Sequence, residues 1–318
     1  MSAKTTIEWC DSTINGSSGC DGCELWNKTK QTCYAGHVHE NRLAHSFPDK
    51  YAADFREVRM IPGRYAQAAR WSDLRGKDRP DKPWLNGMPR LIFVGDMGDF
   101  LSRGVTDEFL VDELFSAIKS PAGQRHFWLL LTKRPRRLDE LSRRMGGLPE
   151  NCMAMTTVTD QETANRRIPQ LMAVRCKWRG LSIEPLLGHV DLDQIEATPF
   201  ITISALNRQA LGGIPVDWVI GGGESGTDAE ATHPHDARRV RDQCVRFGVP
   251  FLWKQWGEWL PQSQSEDVCA EQSARGRFRT RLWGDNSYSF RVGRDRAGRL
   301  LDGREWNEMP LLYASAPA

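Results

Sequence analysis

Four of the eight cysteines in this chain crowd near one end: Cys10, Cys20, Cys23 and Cys33. Cys20 and Cys23 form a Cys-x-x-Cys pair, and nine residues separate Cys23 from Cys33. Two thiolates at that spacing can grip one metal centre, and a third from the following loop closes a face. Gly16, Gly19 and Gly22 supply the backbone freedom such a loop needs. Helical spacing over 33–43 puts Cys33 at a helix start, where backbone N–H groups favour an anionic thiolate cluster. Three ligands leave one metal position open to a small molecule, whereas structural zinc and purely electron-transferring clusters take four. Cys20, Cys23 and Cys33 are therefore candidate ligands of an iron–sulfur cluster. Zinc is the alternative, since Cys10 is a possible fourth ligand and His37 lies one helical turn beyond Cys33. Cys152, Cys176, Cys244 and Cys269 are scattered singly, and the first three read as small core residues.

A scaffold must hold that loop. At 318 residues the chain suffices for one large α/β domain or two ordinary ones. Forty per cent hydrophobic and 26% charged residues argue against wholesale disorder, and a net charge of +2 does not by itself point to nucleic acid. No run of about 18 apolar residues predicts a membrane span. The first residues lack the apolar region of a signal peptide, so the expectation is a cytoplasmic protein. Eight cysteines in that compartment do not predict a disulfide framework.

Runs rich in β-branched and aromatic residues predict strands at 91–95, 127–132, 152–158, 177–184, 217–222 and 251–254, with 5–9 as a weaker first strand. Amphipathic stretches at 106–118, 134–145, 161–172 and 236–247 predict helices, the last capped by Asp236. Such alternation predicts a parallel sheet with right-handed crossovers. About seven strands suit an α/β fold built as a full or partial parallel (β/α) barrel; a doubly wound open sheet is the alternative. Polar residues follow almost every strand: Asp96 and Asp99, Thr132 and Lys133, Thr157 and Thr159, Ser182 and Glu184, Gly223 and Glu224, Lys254 and Gln255. In a parallel barrel those ends converge on one mouth. Residues 189–216 interrupt the alternation, with 200–206 as an extra strand or helix. The expected organisation is a barrel over 1–260 carrying the cysteine loop, then a C-terminal part over 261–318. That part comprises a polar loop (261–276) and a small antiparallel appendage (279–283, 287–292, 299–301), with turns at 284–286 and 295–298.

Several strand-end residues are candidates for chemistry. Consecutive glycines at Gly222 and Gly223 let backbone amides approach a ligand, and Glu224 could accept from an ammonium or a ribose hydroxyl. Ser182 and Asp96 join them as cofactor-binding candidates. Glu184 and Lys254 are the catalytic candidates, and Lys254 with Gln255 could bind an anionic group. The structural alternatives are a tight turn at the glycines, a Glu184 ion pair with Arg179 or Lys254, and a snorkelling Lys254. For nucleic acid, the basic run is Lys133-Arg134-Pro135-Arg136-Arg137. Arg275, Arg277, Arg279 and Arg281 interleave with Phe278 and Trp283.

The motifs Thr6-Ile7-Glu8-Trp9, Gly19-Cys20, Cys33-Tyr34-Ala35 and Leu131-Thr132-Lys133-Arg134-Pro135 recur in order with four more: Leu181-Ser182-Ile183-Glu184-Pro185, Asp217-Trp218-Val219-Ile220, Gly222-Gly223-Glu224-Ser225-Gly226 and Lys254-Gln255-Trp256-Gly257. Over roughly residues 5–310 they resemble a three-cysteine-motif family of unknown function found in phages, prophages and bacteria. That family is distantly similar to radical S-adenosylmethionine (SAM) enzymes. The resemblance implies a radical-SAM-type barrel and a [4Fe–4S] cluster on the three cysteines. It also implies SAM chelated by the open iron, an electron donor as partner, and a 5′-deoxyadenosyl radical that abstracts hydrogen from substrate. The usual radical SAM spacing is Cys-x₃-Cys-x₂-Cys; here it is Cys-x₂-Cys-x₉-Cys, and Tyr34 follows the last cysteine. The expected function is an iron–sulfur enzyme acting on DNA or a nucleotide-derived substrate. The alternatives are a zinc-stabilised nucleic-acid-binding protein and a zinc-dependent barrel hydrolase.

Overall fold

The apolar runs become a parallel sheet in a computed structural model, which describes residues 3–208, 215–276 and 278–312. Its seven strands are β1 (Ser12–Ile14), β2 (Arg90–Val94), β3 (His126–Thr132), β4 (Cys152–Thr157), β5 (Trp178–Ile183), β6 (Trp218–Gly221) and β7 (Phe251–Trp253). Their spatial order equals their chain order. Every crossover therefore steps the same way, as in a barrel, and no reversal marks a doubly wound switch point. The sheet is an open half-barrel, with β1 and β7 at its two ends. At β7 the chain covers its own edge: Trp253 N–H donates to Trp306 C=O at 2.9 Å, and Glu308 N–H to Phe251 C=O at 3.1 Å. A further strand cannot pair there, which is why the sheet stops short of a full barrel at that edge.

The chain divides into two compact units. The first comprises residues 1–156, 170–179 and 311–318; the second, 157–169 and 180–310.

In the first unit β1 pairs with β2 (Thr13 opposite Phe93), β2 with β3 (Ile92 opposite Trp128) and β3 with β4 (Leu130 opposite Ala154). Every residue of β2 is buried, as a strand covered on both faces requires. The first strand is not the expected 5–9. Ser12 and Thr13 are polar yet buried, so apolar periodicity does not reveal them. Residues 5–10 instead wrap the Lys82 ammonium, which donates to the carbonyls of Thr5, Ile7 and Cys10 at 2.7, 2.6 and 2.7 Å. Lys82→Met leaves three half-buried carbonyls without that donor. A loss of about 2 kcal/mol is expected, read as a lower urea midpoint.

The 106–118 stretch is helical over Asp107–Phe109, Leu110–Phe115 and Ser116–Lys119, the middle segment widening to π-type hydrogen bonding. Thr106 caps it by accepting from Phe109 N–H at 3.2 Å. The next helix is Pro135–Arg144, with proline in its first turn, where no N–H is needed.

In the second unit β5 pairs with β6 (Leu181 opposite Val219) and β6 with β7 (Ile220 opposite Leu252). Helix Gln161–Ala173 begins in this unit, and helix Pro234–Phe247 lies within it. The cap of the latter is His233, whose ring accepts from His235 N–H, and not Asp236, which sits in the first turn. The 200–206 expectation resolves as a hairpin, Ile195–Thr198 with Ile201–Ile203. The polar 261–276 stretch is no loop: it holds helix Glu266–Arg275, with two acidic residues in its first turn and Val268 buried. The appendage is a three-stranded antiparallel sheet in the order Trp259–Pro261, Tyr288–Arg291, Arg279–Leu282. Residues 299–301 add no strand to it, because Leu301 bridges only to Arg304. The expected 295–298 turn is a short helix, Arg294–Ala297.

Candidate functional site

The cysteine loop in the first unit leaves the end of β1 and is stitched down by its own backbone. Cys20 N–H donates to Phe55 C=O at 2.7 Å, while Cys23 and Trp26 exchange a pair of backbone bonds at 3.0 and 3.1 Å. Cys33 N–H donates to Leu25 C=O at 3.1 Å, and the Cys23 thiol accepts from Leu25 N–H at 3.4 Å. Gly19 has a φ of +79°, and a Cβ there would stand 2.3 Å from the Glu57 carbonyl oxygen, so only glycine fits. Cys20, Trp26, Ala35 and Phe55 form one buried cluster, with Cys33 and Met97 packed against it. Trp26 is its centre: Phe55 meets the indole edge-on at 5.4 Å and His37 at 5.5 Å. Burial pushes the Cys23 thiol above its ordinary pKa, and the Lys133 ammonium is the strongest opposing influence; Cys33 is close enough to add to the rise. The three cysteines are thus neighbours. Among the described residues no three His, Cys, Asp or Glu side chains are grouped to hold a single metal ion.

A charged brace ties this loop to the end of β3. Arg134 donates to Asp21 at 2.5 Å and to Gly22 C=O at 3.0 Å, and pairs with Asp99 at 2.8 Å. Asp99 also accepts from the Thr132 hydroxyl at 2.7 Å and from Lys133 N–H at 2.8 Å. Burial opposes the charge on Arg134, yet Asp99, Cys20 and Asp21 together hold its pKa above the ordinary value. Asp96 accepts from Asn15 at 2.6 Å, and Asn15 in turn accepts from Met97 N–H at 3.0 Å. Cys10 is fully buried in the segment that Lys82 holds.

Much of the 133–137 basic run is engaged within the protein. Besides Arg134, Arg137 pairs with Asp107 and donates to the carbonyls of Leu101, Ser102 and Val105. The exposed Arg136 pairs with Glu140. Asp21 and Met97 were not singled out in the sequence; Asp21 carried only the signal of lying between two cysteines. Arg277 lies outside the described residues.

The second unit builds a separate strand-end site. Glu184, just past β5, forms an ion pair with Lys254, just past β7. Gly222 lies between them, its Cβ position 3.4 Å from both the Glu184 Cγ and the Lys254 Cβ. Gly223 N–H donates to Gln255 C=O at 2.8 Å, and the Gln255 amide donates to Gly223 C=O and to Ser225. A Cβ on Gly223 would stand 2.1 Å from the Trp256 carbonyl oxygen, so this turn admits nothing larger. Glu224 is buried and accepts from Glu230 N–H at 2.8 Å. Ser182 is buried within β5, its carbonyl accepting from Val158 N–H at 3.0 Å. Of the sequence candidates, Glu184, Gly222 and Lys254 come together directly.

No helix among the described residues is long and apolar enough to cross a membrane. One family model matches residues 4–310, described as a protein of unknown function (DUF5131). No curated protein and no solved structure matches the chain.

Proposed function

Since the chain belongs to the DUF5131 family, whose function is unknown, its chemistry must be read from its own residues, and we propose that Cys20, Cys23 and Cys33 hold a [4Fe–4S] cluster in an enzyme of radical-SAM type. The observation that carries the reading is the setting of the three thiols. Cys20 belongs to one buried aromatic cluster and Cys33 packs against it, paired backbone bonds tie Cys23 to Trp26, and two cations face the thiols, Lys133 at Cys23 and Arg134 at Cys20. Soft thiolate donors suit iron–sulfur chemistry, and fixed cations offset the negative charge of a thiolate-held cluster. These residues fit such a group: a polynuclear cluster puts each thiolate on a different iron and does not need them to meet at one point. With three protein ligands one iron stays open, and SAM bound there supplies radical chemistry.

The chain's own residues have distinct parts in this reading. Trp26, Phe55 and Met97 shield the centre from water. Asp21 and Asp99 hold the Arg134 guanidinium against the loop. In the second unit, Glu184 and Lys254 act as the catalytic pair; a half-buried carboxylate and ammonium in contact can hold or move a proton between Oε1 and Nζ. Gly222, Gly223, Glu224 and Ser182 are the cofactor-binding candidates of this unit, and Asp96 is the one in the first unit. The likeness to three-cysteine-motif phage proteins, the radical-SAM-type barrel, the cytoplasmic setting, the electron donor and a DNA or nucleotide-derived substrate all belong to this same proposal.

Anaerobic purification with metal and sulfide analysis tests it. A brown protein with about four irons and four sulfides per chain is expected. One zinc per chain with no visible absorption sinks the proposal in favour of a zinc protein.

A further inference from the structure

The appendage of the second unit presents an arrangement of charge that the cluster chemistry does not use. In its antiparallel register Arg279 lies directly opposite Arg291, and Trp259 lies opposite Arg291 on the other side. Residues directly opposite share a face, so Trp259, Arg291 and Arg279 form one row across all three strands. Arg281, two residues along, is on that face too. The opposite face carries Leu260 and Phe290, both buried; on the arginine face Trp259 and Ser289 are buried as well, and Arg279 and Arg281 on the edge strand are exposed.

Like charges directly opposite one another destabilise a sheet. Several arginines elsewhere in this unit are neutralised, Arg238 and Arg241 by Asp302, Arg296 by Glu271 and Arg299 by Glu305, whereas the exposed Arg246 lies over the Phe247 ring. Arg279, Arg281 and Arg291 have no carboxylate partner among the described residues. Charges on an edge strand can guard against edge-to-edge aggregation. That accounts for Arg279 and Arg281 but not for Arg291, which is on the central strand. The guanidiniums are also preorganised. Arg281 lies over the Trp283 ring at 5.1 Å and Arg291 over Trp259 at 6.0 Å, while Arg291 also donates to Gly226 C=O at 2.7 Å.

We infer that this face binds the phosphodiester backbone of single-stranded nucleic acid. Arg279 and Arg281 repeat at two strand residues, about 7 Å, the length scale of one extended nucleotide. A phosphate between Arg279 and Arg291 relieves their repulsion through charge-assisted bonds. The Trp283 indole beside them is half-buried, with Arg281 over its ring and the His233 ring against it at 4.7 Å, and its remaining exposed part offers a surface for a base. An extended single strand can present successive phosphates at that repeat and an unpaired base to the indole, which favours a single strand. The inference deepens the proposed function by naming its substrate class, but it rests on residues of the second unit alone.

Fluorescence anisotropy of the full chain with labelled oligothymidylate, and with a hairpin duplex of equal charge, is the test. The R279E/R281E double variant is expected to bind the single strand at least ~10-fold more weakly, and its salt slope to shrink by about 1.4, two contacts at ~0.7 each. Both positions are exposed, so folding should survive; circular dichroism and an unchanged visible spectrum check this. R246E, at an exposed arginine in the last turn of Pro234–Phe247, keeps the wild-type affinity. Absence of wild-type binding overturns the inference, as does equal binding by R279E/R281E. Tighter binding to the hairpin overturns the single-strand assignment. None of these outcomes touches the iron and sulfide measurement, so the two readings fail separately.

Discussion

Replacing Cys20, Cys23 or Cys33 with alanine, one at a time, is expected to bleach the protein and drop its iron and sulfide to background, while Cys152→Ala leaves both unchanged. With only three protein ligands, a cluster that loses one is held by two. Cys152 differs in its surroundings. It is fully buried in β4, its thiol donates to Pro149 C=O at 2.9 Å, and burial pushes its pKa far above the ordinary thiol range. Cys244 is raised in the same way by burial. Neither Cys152 nor Cys244 belongs to the 20–33 loop, so neither is expected to hold the cluster. Because Cys20 is itself part of the buried cluster, each alanine variant should be paired with the serine variant and a thermal melt, separating loss of ligand from loss of packing. Iron retained in Cys23→Ala, or lost equally in Cys152→Ala, would remove these cysteines from the site.

The second large effect concerns the strand that delivers the loop. Asp11→Ala is expected to lower stability by about 3–5 kcal/mol, as removal of one partner from a buried ion pair does. Asp11 and Arg79 are both buried and joined at 2.7 and 3.3 Å. Asp11 also accepts from Leu91 N–H at 2.8 Å, which pins the start of β1 against β2. Arg79 donates further to the carbonyls of Leu85, Met88 and Pro89. Removing Asp11 leaves the guanidinium buried without its counter-charge. The double variant Asp11→Ala/Arg79→Ala should therefore lose less than the sum of the two single changes. Urea midpoints of the three variants check this; strict additivity would mean that the pair does not couple. Since β1 leads into the segment that carries the cysteines, Asp11→Ala should also lower iron retention more than its urea midpoint alone implies.

How far the sequence reached depends on which signals are local. Six of the seven sheet strands were legible because they are rich in apolar, β-branched and aromatic residues, most plainly Phe127 to Leu131, and need no partner to be recognised. β1 was not, because Ser12 and Thr13 are polar and buried by their neighbours. The Glu266–Arg275 helix was hidden in the same way, since its polar composition resembles a loop and Val268 is its one large buried side chain among those described. The arginines of 133–137 were legible as charge but not as engaged charge.

By itself, the sequence determined that three cysteines at Cys-x₂-Cys-x₉-Cys spacing share one glycine-rich loop, and that strands and helices alternate as in a parallel barrel. Both are matters of local order along the chain, set by residue type and period. Only the tertiary structure decided which charges meet. Arg134 reaches Asp21 across 113 positions and Lys254 reaches Glu184 across 70. It also decided that Arg279 faces Arg291 and that residues 306–308 close the β7 edge. Such pairings follow from strand register and crossover direction, which arise only when distant segments bury their apolar faces together.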